Sequence, residues 1–338
     1  MHGFFYLVST VFLICFGHAI EVETLDLDVI SYEGLIQGNP EDLTLLNRAL
    51  FEKGIVAIRG VPGYREKLEA FTLSARAFIA LDEEVKNRYA PIRERGDLFL
   101  GYEKGKEKFK RPEGKWVIDD LKVSYYAFLP DQFLNRWPSE LDLQTSYCQL
   151  GCLMAQMGKL VMEKIGLIGP SPKIELGDTP QVGRMLYYQK SGDTSVDNPY
   201  WCGAHFDHGL FTALTPATYF MEGALVAEPE EAGLFVKVGN SFKKVKADPE
   251  VLMFQVAEFG QLTTNDAIRA TEHRVRKAKG SVERFAMAVF FDAPMDATIR
   301  SLSELTRDSR YGGVAGEPCS YQKWHEESFK RYIVIDEN

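Results

Sequence analysis

Between Gly183 and Phe291 the chain is cut into short apolar runs: Arg184 to Tyr188, Phe206 to Thr215, Leu234 to Val238, Phe242 to Val245, Leu252 to Val256 and Phe285 to Phe291. Runs of this length, rich in β-branched and aromatic residues and bounded by Gly, Pro, Asn and Asp, read as antiparallel strands. Gly239-Asn240 between the third and fourth fits a hairpin connection. The spacing predicts a closed or double-sheet β architecture, because no helical period separates one run from the next as βαβ units require.

The first half has a different texture. Asn39 reads as an N-cap, Pro40 as the first helical residue, Glu41 and Asp42 as first-turn acids and Gly54 as the terminator of a short helix. Ile55 to Ile58 is a buried strand between two glycines. Leu68, Phe71, Ala75 and Phe78 recur at helical spacing from about Glu66 to Ala80, and a third helix runs from about Ser146 to Ile165. The expected fold is mainly β with flanking helices: a helix-rich region over residues 20–165 packed on a β domain over 166–338.

With 338 residues, 45% of them hydrophobic, the chain has ample material for a large core. Its 39 Lys and Arg against 48 Asp and Glu give a net charge of −9, and no basic block is present, which argues against nucleic acid as a partner. Past residue 20 every apolar run falls well short of the ~20 residues a bilayer span needs, so no membrane span is expected. Gly3 to Phe16, followed by Gly17-His18-Ala19, reads as a cleavable signal over Met1–Ala19, although no Lys or Arg precedes the apolar stretch. Cleavage would make the protein exported or lumenal; otherwise it is cytoplasmic. Cys15 lacks the small residues a lipid-attachment site wants before it. Cys148, Cys152, Cys202 and Cys319 are too scattered for a disulfide framework, and no CxxC, Walker loop or GxGxxG points to zinc or nucleotide chemistry.

Histidine is scarce, at positions 2, 18, 205, 208, 273 and 325. His205-Phe206-Asp207 sets an imidazole and a carboxylate two residues apart, on one side of an extended segment. His273 follows 66 residues after Asp207 and could close on the pair across a barrel. Two imidazoles and one carboxylate on one face form the ligand set of mononuclear non-haem Fe(II) centres. Eleven residues beyond His273, Arg284 opens the strand to Phe291, where its planar fork could clamp a carboxylate. By the same alternation His208 should point away from His205 and Asp207, as a supporting or structural residue. His325 reads as packing in an amphipathic C-terminal segment that could cover a cavity mouth. Tyr125, Tyr126, Phe128, Phe290 and Phe291 either line a pocket or fill the core. Lys104 to Arg111, mixed in sign, reads as a solvated loop.

Taken in order, these features resemble the isopenicillin N synthase-like family of Fe(II)/2-oxoglutarate-dependent dioxygenases. The matching segments are Ala49 to Ile58, Asp82 to Lys86, Arg184-Met185-Leu186-Tyr187-Tyr188, His205 to Gly209, the hairpin after Gly233-Leu234, Asn265-Asp266-Ala267-Ile268, His273-Arg274-Val275 and Arg284. The resemblance implies a double-stranded β-helix, or jelly-roll, core and an oxygenase using Fe(II) and 2-oxoglutarate on a small-molecule substrate with O2, hydroxylation being the default outcome. His205, Asp207 and His273 would bind iron. Arg284 would hold the distal carboxylate of 2-oxoglutarate, and Tyr188 would donate a hydrogen bond to it. Two departures stand out: the family's Arg-x-Ser is Arg284-Phe285-Ala286, and the Asn before its Tyr pair is Leu186. Losing one hydrogen bond to a charged group costs about 1.5 to 3 kcal/mol, which leaves open a 2-oxoglutarate-independent oxidase and, more remotely, a catalytically silent metal-binding scaffold.

Overall fold

A computed structural model describes residues 22–92, 99–110, 114–167, 174–190 and 198–332. The signal expected over Met1–Ala19, with His2, Cys15 and His18, lies outside the described residues. The chain enters through β1 (Thr24–Asp26) and β2 (Val29–Ser31), then α1 (Tyr32–Gln37), α2 (Pro40–Glu52), β3 (Ile55–Arg59), α3 (Tyr64–Ile79) and α4 (Glu83–Asn87). Strands β4 (Gly101–Lys104), β5 (Lys108–Lys110), β6 (Trp116–Ile118) and β7 (Lys122–Leu129) precede α5 (Gln144–Lys164). The second half runs β8 (Gln181–Tyr188), β9 (Tyr200–His205), β10 (Phe211–Leu214), β11 (Thr218–Met221), β12 (Ala224–Val226), β13 (Gly233–Val238), β14 (Ser241–Lys246) and β15 (Val251–Val256). It ends with α6 (Glu258–Thr263), β16 (His273–Arg276), β17 (Val282–Phe291), β18 (Thr298–Arg300), β19 (Pro318–Ser320) and α7 (Tyr321–Tyr332).

The local signals act as their chemistry requires. The Asn39 side chain accepts from the amides of Glu41 and Asp42 at 2.9 and 3.2 Å, capping α2 at the expected residue. Gly239-Asn240 joins β13 to β14 as a two-residue hairpin, with Val238 opposite Ser241.

The strands form two sheets. A five-stranded sheet has the order β1-β14-β13-β16-β9, and a larger one the order β2-β3-β15-β10-β17-β8-β7-β4, with β11 and β12 extending from β17. Leu25, Trp201, Val236 and Val275 of the first pack with Ala57, Leu186, Met253 and Ala286 of the second, so the sheets close face to face. On its other face the larger sheet packs Met185, Phe285, Met287 and Phe291 against Phe71 and Phe78 of α3 and Met154 and Val161 of α5. This is the mainly β, jelly-roll core with flanking helices. Among the described residues no helix is long and apolar enough to cross a membrane.

Two details differ from the sequence reading. Phe206 to Thr215 is not one strand: His205 ends β9, Phe211 begins β10, and the turn between them is held by the amides of Glu258 and Phe259, which donate to the carbonyls of Asp207 and Gly209 at 2.9 Å each. Gly209 lets this turn approach the end of β17, since a Cβ there would stand 2.7 Å from Asp292 Oδ1 and 2.8 Å from the Phe291 carbonyl. Secondly, residues 20–165 contribute strands as well as helices, for β2, β3, β4 and β7 belong to the large sheet. The strand character of β7 is masked by Lys122 and Ser124 on one of its faces.

Candidate active site

Register brings the first three candidates together. β9 and β16 are antiparallel neighbours with His205 opposite His273, and the turn after β9 carries Asp207 back towards both. His205 Nε2 and His273 Nε2 lie 3.8 and 3.9 Å from Asp207 Oδ1, and the ligand atoms of the three residues all lie within 4.8 Å of one another. Each ring is fixed from behind: Nδ1 of His205 faces the Gly203 carbonyl at 2.9 Å and Nδ1 of His273 the Thr271 carbonyl at 3.0 Å. A carbonyl only accepts, so Nδ1 carries the proton in both rings and each Nε2 presents a lone pair to the common point.

Asp207 is oriented in the same way. Its Oδ2 accepts from Thr212 Oγ1 at 2.6 Å and Gln255 Nε2 at 2.7 Å, leaving Oδ1 turned to the imidazoles. Burial alone would raise its carboxyl, but the two imidazoles and these two hydrogen bonds outweigh it and hold the group below the usual carboxylate value. Burial, reinforced by His205, pushes the His273 imidazole down to about 4, keeping it neutral. Two imidazoles and one ionised carboxylate, converging with no hydrogen bond among themselves, suit a divalent transition metal. Sequence reasoning missed Thr212 and Gln255, single polar residues placed only by the pairing of β10 with β15.

Arg284 and Tyr188 are also neighbours. Across the large sheet Tyr219, Arg284, Tyr188 and Lys122 stand in register on β11, β17, β8 and β7. The guanidinium lies 4.8 Å from the Tyr188 ring centroid, and its Nε donates to the Tyr219 hydroxyl at 3.3 Å. Arg284 is 5% exposed and its Nη1 is buried without a hydrogen-bond partner. A buried guanidinium with an unanswered donor fits the carboxylate of a bound ligand. Tyr219 was not among the sequence candidates; only the strand register reveals it. Ala286 is buried opposite Leu186, so both departures from the family pattern lie on one apolar step of the sheet.

Beside the three metal candidates lies a cavity of ≈ 150 Å³. Its apolar walls include Phe99, Tyr126, Phe206, Phe290 and Phe329, whereas Tyr125 and Phe291 fill the outer core. The run Lys104 to Arg111 is more than a solvated loop: Glu107 reaches into the cavity wall, where it accepts from Lys122 Nζ at 2.6 Å and Tyr126 at 2.9 Å and pairs with Arg184. Asp119 holds Lys122 from the other side at 2.9 Å. His208 does not point out of the site either. It lines the same cavity and meets His325 of α7 with His208 Nε2 and His325 Nδ1 3.0 Å apart, so α7 roofs the cavity.

A jelly roll with two histidines and an aspartate converging at one end of its interior, and a buried arginine further inside, defines a mononuclear non-haem metal oxygenase. Residues 180–293, which contain all four of these side chains, match the model of the 2OG-Fe(II) oxygenase superfamily. It is similar to jasmonate-induced oxygenase 4 of Arabidopsis thaliana, with 24% identity over 93% of this chain and 82% of the relative. Its fold is that of a full-length Neurospora crassa protein crystallised with α-ketoglutarate and thymine, at a TM-score of 0.67 and 18% identity over 90% of this chain and 96% of that one. It is likewise that of JOX2 in complex with 2OG, Fe and JA, at a TM-score of 0.64 and 18% identity over 91% and 86% of the two chains. The protein is an oxidoreductase of the dioxygenase class, with Fe(II) as its metal and 2-oxoglutarate as its cosubstrate.

Proposed function

We propose that His205, Asp207 and His273 hold Fe(II), that Arg284 binds the distal carboxylate of 2-oxoglutarate with Tyr188 beside it, and that the enzyme hydroxylates a small organic molecule in the cavity under α7. The observation that carries this reading is the paired tautomer lock. Both Nδ1 atoms are engaged by carbonyls, so both Nε2 lone pairs aim at the free oxygen of Asp207. Bound Fe(II), with 2-oxoglutarate and O2, supplies the oxidising chemistry, with succinate and CO2 as coproducts.

The remaining work falls to this chain's own residues. Thr212 and Gln255 keep Oδ2 of Asp207 occupied and so fix which oxygen faces the imidazoles. Arg284, anchored at Nε by Tyr219, offers Nη1 to an anion. Phe99, Phe206 and Phe329 exclude water beside the metal ligands, which favours placing a C–H bond there over admitting solvent. Glu107 and Asp119 neutralise Lys122 and Arg184 within the wall, so the cavity selects by shape and hydrogen bonding rather than by net charge. The likeness to proteins crystallised with thymine and with JA supports a compact organic substrate. The buried, unpartnered Nη1 of Arg284 favours the cosubstrate-dependent reaction over a 2-oxoglutarate-independent oxidase.

The test is anaerobic titration of the metal-free protein with Fe(II) and then 2-oxoglutarate, followed by absorption. A visible charge-transfer band is expected only when both are present, and it weakens in Arg284→Ala. Iron binding with no band would overturn the cosubstrate assignment, and no iron binding would overturn the metal centre.

A further inference from the structure

A second set of donors converges one residue beyond the proposed iron ligands. His208 lies in the turn after Asp207, Asp292 directly follows β17, and His325 sits on the first half of α7. Their ligand atoms all lie within 4.8 Å of one another. His208 Nε2 and His325 Nδ1 are 3.0 Å apart. Two imidazole nitrogens on one tetrahedral zinc-class ion, with bonds of about 2.0 to 2.1 Å, lie about 3.3 Å apart, so a small opening of the pair would admit the ion between them.

The donors are also held from behind. The Tyr321 hydroxyl donates to Asp292 Oδ1, and the Trp324 indole donates to the His208 carbonyl at 2.8 Å. Both anchors come from the turn of α7 that carries His325. The Phe329 ring closes the outer side, 5.4 Å from the His208 ring and 4.6 Å from that of His325. A hydrogen-bonded histidine pair by itself accounts for the 3.0 Å contact. It does not account for a carboxylate from a third element, oriented by its own hydroxyl donor, beside the pair and facing the same cavity. Backing of this kind is what orients metal ligands.

We propose that His208, Asp292 and His325 form a second divalent-cation site, of the zinc class, whose remaining position faces the substrate cavity. Two imidazoles and one carboxylate favour zinc, cobalt or nickel over magnesium or calcium. The ion would pin α7 to the turn that carries Asp207 and offer its open position to an oxygen or nitrogen of the substrate.

Cobalt(II) titration of the full, chelator-stripped chain tests this, since four-coordinate Co(II) absorbs intensely in the visible and six-coordinate Co(II) weakly. The wild type is expected to take two equivalents, one of them intensely coloured and displaced by Zn(II). His325→Ala and Asp292→Asn lose the intense band, Tyr321→Phe weakens that site by about tenfold or more, and His205→Ala keeps it while losing the weakly coloured equivalent. Thermal melting confirms that each variant is folded, and His325→Gln, close in size and still hydrogen-bonding, replaces His325→Ala if the latter is not. A single equivalent that is lost in His205→Ala overturns the second site and leaves the iron centre standing. A single equivalent that survives His205→Ala and is lost in Asp292→Asn supports the second site and overturns the first. Intense bands that persist in both Asp292→Asn and His325→Gln also overturn the second site.

Discussion

The two faces of the large sheet are built from alternate residues of the same strands, yet they are chemically unlike. Along β17 Phe285, Met287, Val289 and Phe291 face α3 and α5, while Arg284, Ala286, Ala288 and Phe290 face the interior between the sheets. Along β7 and β8 the outer residues are Val123, Tyr125, Ala127, Met185 and Tyr187, and the inner ones include Lys122, Ser124, Tyr126, Arg184 and Tyr188. The outer face is a continuous apolar seam, for which size and shape matter. The inner face buries charge that must be answered by a partner or by a ligand. Period-two geometry thus lets one strand carry stability on one side and chemistry on the other.

The sharpest break of that comparison is His273→Ala. It should abolish iron-dependent succinate formation, and retained turnover would remove the inner face's claim to the chemistry. Arg284→Met comes next. In the unliganded protein it exchanges a buried guanidinium with an unanswered donor for an apolar chain, so the melting temperature should hold or rise. The stabilisation brought by 2-oxoglutarate should vanish, a loss of about 3 kcal/mol or more, over a hundredfold in Kd. A variant that is still stabilised by 2-oxoglutarate would move the carboxylate site elsewhere.

A matched pair of truncations then separates the faces. Met287→Ala should cost about 2 to 5 kcal/mol by opening a cavity against α5, with kcat and KM unchanged at a permissive temperature. Glu107→Ala should cost about 3 kcal/mol by stripping Arg184 of its carboxylate and leaving Lys122 with Asp119 alone, and it should change the kinetics as well. Glu107 also predicts a pH dependence. Burial opposes ionisation, but Arg184 and Lys122 outweigh it and hold its carboxyl well below the usual carboxylate range. Its contribution is therefore complete above the ordinary carboxylate pKa and fades only as pH falls towards the depressed folded value. Acid titration of stability should show wild type and Glu107→Gln converging below pH ~4, and parallel curves would remove the inner ion pair as a stabilising element.

These contrasts also mark what could be read from the residues. The triad was legible because His205 and Asp207 are local and histidine is scarce, so His273 had few rivals. The strands were legible where a short apolar run is bounded by breakers, as in β15 and β17, whereas β7 went unread because Lys122 and Ser124 interrupt its apolar run. Glu107 was hidden because a run of alternating charges looks solvated until the pairing of β7 with β8 turns Lys122 and Arg184 inward. His325 was assigned to packing because its partner, His208, is 117 residues away and α7 meets the turn after β9 only in three dimensions. The same holds for Tyr219, which touches Arg284 through register alone.

Tyr219 is the subtlest of these residues and the most informative to change. The family's Arg-x-Ser hydroxyl is absent at Ala286, and the Tyr219 hydroxyl stands on the neighbouring strand, accepting from Arg284 Nε at 3.3 Å and donating to Glu228 Oε1 at 2.9 Å. The carboxylate fits behind it because residue 233 is glycine at φ +110°, where a Cβ would lie 1.9 Å from Glu228 Oε1. Tyr219 thereby relays the negative charge of Glu228 to one side of the guanidinium and leaves Nη1 for the ligand. Tyr219→Phe keeps the ring and its packing and removes only that relay, so folding should be little affected. The KM for 2-oxoglutarate should rise about tenfold, the equivalent of one hydrogen bond to a charged group, with kcat nearly unchanged. If kcat falls and KM holds, Arg284 is oriented by Tyr188 alone, and the inner face has lost its hydroxyl without replacement.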